Sequence, residues 1–156
     1  MSDFAFNVAL GRAVEFYQRV RSNDPANSAL VLVVLKATAA SDATLRDLTT
    51  LSAVLAASPE ATNVGYARKV LTDTALAAAS PNNTSDSFQI TFPSQTWNTV
   101  GATGGAWAKL LVCYDSDTTA GTDANIIPVT AHDLAVTPNG TNITITPPST
   151  GFYRAT

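Results

Sequence analysis

"SALVLVVLKA", residues 28–37, is the stretch on which the fold turns. Ala29 to Leu35 is apolar without interruption, so neither the helical period nor strict alternation sets one polar face apart. Branched side chains dominate it. Its length and branching predict a strand buried on both sides. A second stretch, "AWAKLLVCYD" at 106–115, reads as another central strand.

Working outward, a helix is expected over 42–58. Ser41 or Asp42 can cap it and Asp47 lies near its positive end, while Leu45, Leu48, Leu51 and Leu55 form one stripe. Ser58-Pro59 ends it, because the residue before proline disfavours helical angles. Upstream, residues 4–22 fit two patterns. Ala13, Phe16, Tyr17 and Val20 recur at helical spacing, yet Val14/Phe16 against Glu15/Tyr17 also suits an amphipathic strand. The expectation is an extended strand or arm over 1–25, closed by "SNDP" at 22–25, with a β-rich domain over 26–156.

Beyond residue 59 the pattern is β. "SFQITFP" at 87–93 alternates Phe88, Ile90 and Phe92 with polar neighbours. "GATGG" at 101–105 is a turn. "NIIPVTAHDLAVT" at 125–137 holds one or two short strands around Pro128, and "PNG" at 138–140 carries the Asn-Gly signature of a hairpin into "TNITIT". The fold class is therefore α+β: a β-rich single domain, sandwich or barrel-like, with one main helix near 42–58 and extended terminal arms.

Composition narrows function. Of 156 residues only 13% are charged, about half the usual share of roughly 25%. Thr, Ser and Asn supply the polarity instead, which suits surfaces covered by protein. The net charge is −3 and there is no Lys/Arg run, so nucleic acid and acidic membrane surfaces are not expected partners. The N-terminal "MSDFAFNV" has no basic region, and the longest apolar run is far shorter than the ~20 residues that span a bilayer. A soluble chain made in a cytosol is expected. There the four N-x-S/T matches at Asn82, Asn83, Asn139 and Asn142 are turn chemistry.

Candidate chemistry is sparse. "YDSDTTAGTDANI" at 114–126 places Asp115, Asp117 and Asp123 within nine residues, as a calcium loop would. But Ala120 stands where such a loop needs glycine, and Ile126 where it needs an acid, so a connecting loop is expected. His132 is the sole histidine and Cys113 the sole cysteine. A Cys113–His132 dyad would draw on a core strand, and no nucleophile-elbow sequence is present. "GATGG" lacks the G-K-[ST] of a phosphate cradle. Glu15 and Glu60, the only glutamates, lie in weakly patterned segments, while Trp97 and Trp107 could stack on sugar or anchor a core. No catalytic residue, cofactor or metal is expected.

Read together, "NDPANSALVLVVLKA", "DATLRDLTTLSAVLAAS", "EATNVGYARKVLTD", "KLLVCYDSDTTAGTDANIIPVTAHDLAVTPNGTNIT" and "GFYRA" resemble a family of small virion structural proteins of tailed bacteriophages. The resemblance is densest over residues 109–154. It implies a non-enzymatic role in the particle, and among such roles a capsid decoration (cement) protein. That protein would sit on the outer head surface, with the major capsid protein as partner, as a homo-oligomer (trimer or dimer). A tail or head-to-tail component is the alternative within the particle. A carbohydrate-binding module or small hydrolase is the alternative of another class. Phe4, Phe6, Val8, Phe152 and Tyr153 are the expected interface residues, since apolar side chains make poor free tails.

Overall fold

The computed structural model describes residues 3–36 and 40–156. The chain opens with β1 (Phe4–Ala5), a 3₁₀ turn (Asn7–Ala9), α1 (Ala13–Arg21) and β2 (Ala29–Lys36). Two short helices follow, α2 (Asp42–Arg46) and α3 (Leu51–Ala57), then β3 (Lys69–Leu71), β4 (Pro81–Asn82), β5 (Ser87–Ile90) and β6 (Gln95–Trp97). The long strands β7 (Trp107–Asp115) and β8 (Ile127–Val136) precede β9 (Ile143–Ile145) and β10 (Tyr153–Ala155). The fold is α+β and sandwich-like, as the sequence pattern predicts.

A five-stranded antiparallel sheet, ordered β1-β8-β7-β2-β3, forms the middle layer. Antiparallel sheets commonly leave one face wet, which produces alternation. Here both faces are covered, which is why β2 shows no alternation. Leu30, Leu32 and Val34 enter one apolar cluster, with Leu110, Val112 and Tyr114 of β7 and the helix α1. The three-stranded sheet β10-β5-β4 and the pair β6-β9 complete that side. Val31, Val33 and Leu35 enter a second cluster with Leu111 and Cys113, roofed by α2 and α3. Ala37, the last residue of the opening stretch, lies outside the described residues.

Three expectations change in detail. Over 4–22 the helical period prevails: Ala13, Phe16, Tyr17 and Val20 are the buried face of α1, and Phe16 stacks on Tyr114 at 4.6 Å. Glu15 near the start of α1 and Arg19 and Arg21 in its last turn suit the helix dipole. The described part of 1–25 is thus a packed part of the core rather than an arm; Met1 and Ser2 lie outside the described residues.

The helix expected over 42–58 is two helices. Ser41 caps α2, and the Thr50 hydroxyl caps α3 by accepting from the Ala53 N–H at 3.2 Å. Hydroxyl residues favour caps over helix interiors because their side chains bond nearby backbone. The break also lets the Leu51 and Ser52 N–H groups donate to the Ile126 and Asp123 carbonyls, each at 2.9 Å.

The "PNG" turn is not a β8–β9 hairpin. β9 pairs with β6, Trp97 facing Ile143, and the turn docks on Val100, whose carbonyl accepts the Gly140 N–H at 2.7 Å. Asn-Gly supplies the backbone freedom for reversal; the partner strand is chosen by long-range packing.

"GATGG" is a turn wrapped around one side chain. Asn63, 3% exposed, donates to the Gly101 and Gly105 carbonyls and accepts from Trp107 Nε1. Gly104 has φ +125°, and a Cβ there would lie 2.8 Å from the Asn63 backbone nitrogen. Gly104→Ala is therefore expected to cost about 2 kcal/mol, a fall in Tm of roughly 4–8 °C by calorimetry.

Candidate functional site

The aspartates of the 114–126 loop all have protein donors. Asp115 is buried at the end of β7 and accepts the Asp117 N–H at 3.0 Å. Asp117 accepts the Thr119 N–H at 3.0 Å and the Thr119 hydroxyl at 2.6 Å, closing a tight turn that holds its carboxyl below the ordinary 3.8. Asp123 faces the other way and meets Arg68.

Arg68 is the hub of an ionic network with Glu60 and Asp123. Its Nε and Nη2 donate to Glu60 at 2.9 and 2.7 Å, and its Nη1 and Nη2 donate to Asp123 at 2.6 and 2.9 Å. Both contacts are two-pronged, the geometry that suits a planar guanidinium. The Tyr66 hydroxyl donates to Glu60 Oε1 at 2.8 Å and accepts the Val34 N–H of β2 at 3.0 Å. The network therefore ties β2, the 60–68 segment, the aspartate loop and, through that loop's carbonyls, α3. The Arg68 hydrogen bond holds the Asp123 carboxyl below 3.8 against the opposing effect of burial. Burial pushes the Tyr66 hydroxyl up.

Folded-state values below 3.8 for Asp117 and Asp123 mean that their stabilisation is complete above that value. It is lost as pH falls through the lower, folded value. Tm is expected to stay level from neutrality to about pH 5 and to drop below about pH 4, with a shallower drop in Asp123→Asn.

A second ionic cluster lies where β7, β8, α2 and the N-terminal segment meet. Lys109 is wholly buried on β7, with Nζ 2.5 Å from Asp133 and 3.1 Å from Asp42. Asp3 accepts the Asp133 N–H at 2.8 Å and lies 3.1 Å from His132 Nδ1. Burial acts to raise the Asp3 carboxyl, but the Asp133 N–H and the His132 ring outweigh it and the net shift is downward. His132 Nε2 is 2.9 Å from the Thr130 hydroxyl. Cavities of about 330 and 180 Å³ flank this histidine, both lined by Asp3, His132, Pro148 and Phe152.

Cys113 and His132 are not a dyad. Cys113 belongs to the cluster under α2 and α3, whereas His132 is level with Leu110 on the opposite face and lies edge-on to Phe152. Burial pushes the Cys113 thiol up, the reverse of what a nucleophile needs. Among the described residues no three His, Cys, Asp or Glu side chains stand together as a metal ion would require. No helix of the described residues is long and apolar enough to cross a membrane.

Trp97 and Trp107, each 1% exposed, meet edge-to-face at 5.5 Å. Trp97 Nε1 donates to the Ala67 carbonyl and Trp107 Nε1 to Asn63. Neither offers a face to a sugar ring.

The expected interface residues need a correction. Phe4 and Phe6 pack together at 5.2 Å in the cluster under α2 and α3, while Phe152 lies against Phe92 at 5.5 Å in the other. In the folded chain these rings have intramolecular partners, so the poor-free-tail argument for placing them at an interface lapses. Val8 and Tyr153 are half-buried. Among the described residues, the large apolar side chains that face solvent are Leu10 (57% exposed), Val64 (77%) and Val70 (53%). Val64 sits in a turn between Asn63 and Gly65, and Val70 on the edge strand β3. Periodicity could not single them out, because turns and three-residue strands are too short to show one.

No protein-family model, no curated protein and no solved structure matches this chain.

Proposed function

We propose that this protein is a non-enzymatic capsid decoration (cement) protein of a tailed bacteriophage, bound on the outer head surface between major capsid subunits. One observation carries the non-enzymatic part of the reading. The side chains suited to chemistry are engaged across elements: Arg68 with Glu60 and Asp123, Lys109 with Asp133 and Asp42, and Asp115 and Asp117 within their own loop. What faces outward is mostly uncharged hydroxyl and amide groups, with Leu10, Val64 and Val70 among them. Such a surface favours contact with another protein over steering of a charged ligand. The resemblance of its motifs to small virion proteins supplies the particle as the setting.

The mechanism is linkage. A protein that binds the expanded shell and not its precursor stabilises the expanded form by mass action. Many copies bridging adjacent subunits then oppose the pressure of packaged DNA.

Mixing the purified protein with expanded and unexpanded shells and sedimenting them tests this reading. Saturable binding to the expanded shell alone is expected. Binding to neither shell would sink the proposal. Val64→Asp is expected to weaken that binding about tenfold or more by placing an unpaired charge in the contact, with Tm unchanged.

A further inference from the structure

We propose that Lys109 and Asp133 are joined by an intramolecular isopeptide bond, formed by the folded chain itself between Lys109 Nζ and Asp133 Cγ. The two residues face each other directly across β7 and β8. The Lys109 side chain is 0% exposed, and its Nζ lies 2.5 Å from Asp133 Oδ1. A second carboxylate oxygen, Asp42 Oδ1, stands 3.1 Å from the same nitrogen. The Phe4 ring covers the site at 5.4 Å, and the Asp3 carboxylate fixes the Asp133 backbone through its N–H.

A buried lysine needs a carboxylate partner, and one such partner makes an ordinary ion pair. This cluster has more. Amine and carboxyl are held in contact by the strand register, which removes the entropy of bringing them together. The second carboxyl can carry protons between them. Moving one proton from the ammonium to a carboxylate turns the ion pair into a neutral amine and a carboxylic acid.

Lys109 Nζ then attacks Cγ of protonated Asp133. As the C–N bond forms, Asp42 takes a proton from nitrogen and returns it to the departing hydroxyl, which leaves as water. One ammonium and one carboxylate become one amide and one water, with no oxidant or other reactant. The Asp133 side chain is 33% exposed, which gives that water an exit. The product is a covalent ring closed across 24 residues of sequence, containing the whole aspartate loop.

Intact mass spectrometry of the full-length folded protein, denatured just before measurement, reads the bond directly. The expected mass is lower than the sequence mass by one water, and digestion should yield a branched peptide joining the segments around Lys109 and Asp133. Lys109→Met should remove the deficit, and Asp133→Asn should change it to one ammonia. A wild-type mass equal to the sequence mass overturns the proposal, whether or not the variants fold. A deficit that maps elsewhere or persists in Lys109→Met overturns it equally.

Discussion

Trp107→Ala is expected to destabilise the protein by about 4 kcal/mol, lowering Tm by roughly 8–16 °C. The indole is almost wholly buried, edge-on to Trp97 at 5.5 Å and to Tyr66 at 5.6 Å. Removing it leaves a cavity among rigid rings that cannot collapse into it. It also removes the donor to Asn63 Oδ1, the side chain around which the 101–105 turn is wrapped. Trp107→Phe keeps a six-membered ring in the site and loses the donor and part of the indole volume, so a smaller loss of about 1–2 kcal/mol is expected. Chemical denaturation of both variants checks the ranking. A carbohydrate-binding role for this tryptophan predicts the opposite pattern: stability kept and glycan affinity lost. Unchanged stability in Trp107→Ala would contradict the buried, structural role.

Arg68→Met comes second, with an expected loss of about 2–3 kcal/mol. Removing the guanidinium leaves Glu60 and Asp123 partly buried with no opposite charge between them. Complete burial would place the loss higher, but Arg68 is 28% and Asp123 36% exposed, so water recovers part of it. Adding Asp123→Asn to Arg68→Met should restore about 1 kcal/mol, because one of the uncompensated carboxylates is gone. The drop in Tm below about pH 4 should also become shallower in Arg68→Met, since Asp123 no longer has a lowered folded-state value to lose. Equal stability of parent and variant would mean that the network contributes nothing.

The sequence shows the layers better than the connections. Ala29–Leu35 reads as a doubly buried strand because its side chains alone carry that information, and it is one. The same holds for Trp107–Asp115. The break in the 42–58 helix is harder to read. It depends on the Ile126 and Asp123 carbonyls, brought to the start of α3 from some seventy residues away. β9 likewise chooses β6 over its neighbour β8 through contacts that no local pattern encodes.

For the candidate site, the sequence shows chiefly which catalytic motifs it lacks. The aspartate loop departs from a calcium loop at Ala120 and Ile126, and its acids have protein partners. Asp123 is there for Arg68, a pairing across 55 residues that charge patterning cannot anticipate. Phe4, Phe6 and Phe152 read from sequence as interface anchors because they are apolar and near the chain ends, yet in the folded chain they pack on partners of their own. Apolar character says that a residue is covered, but not by which chain.

Purifying particles of the phage proposed as its source, separating heads from tails, and measuring the protein in each fraction tests the decoration proposal most directly. Many copies in DNA-filled heads and none in isolated tails is the predicted result. Heads that lack the protein, or tails that contain it, would contradict the decoration role.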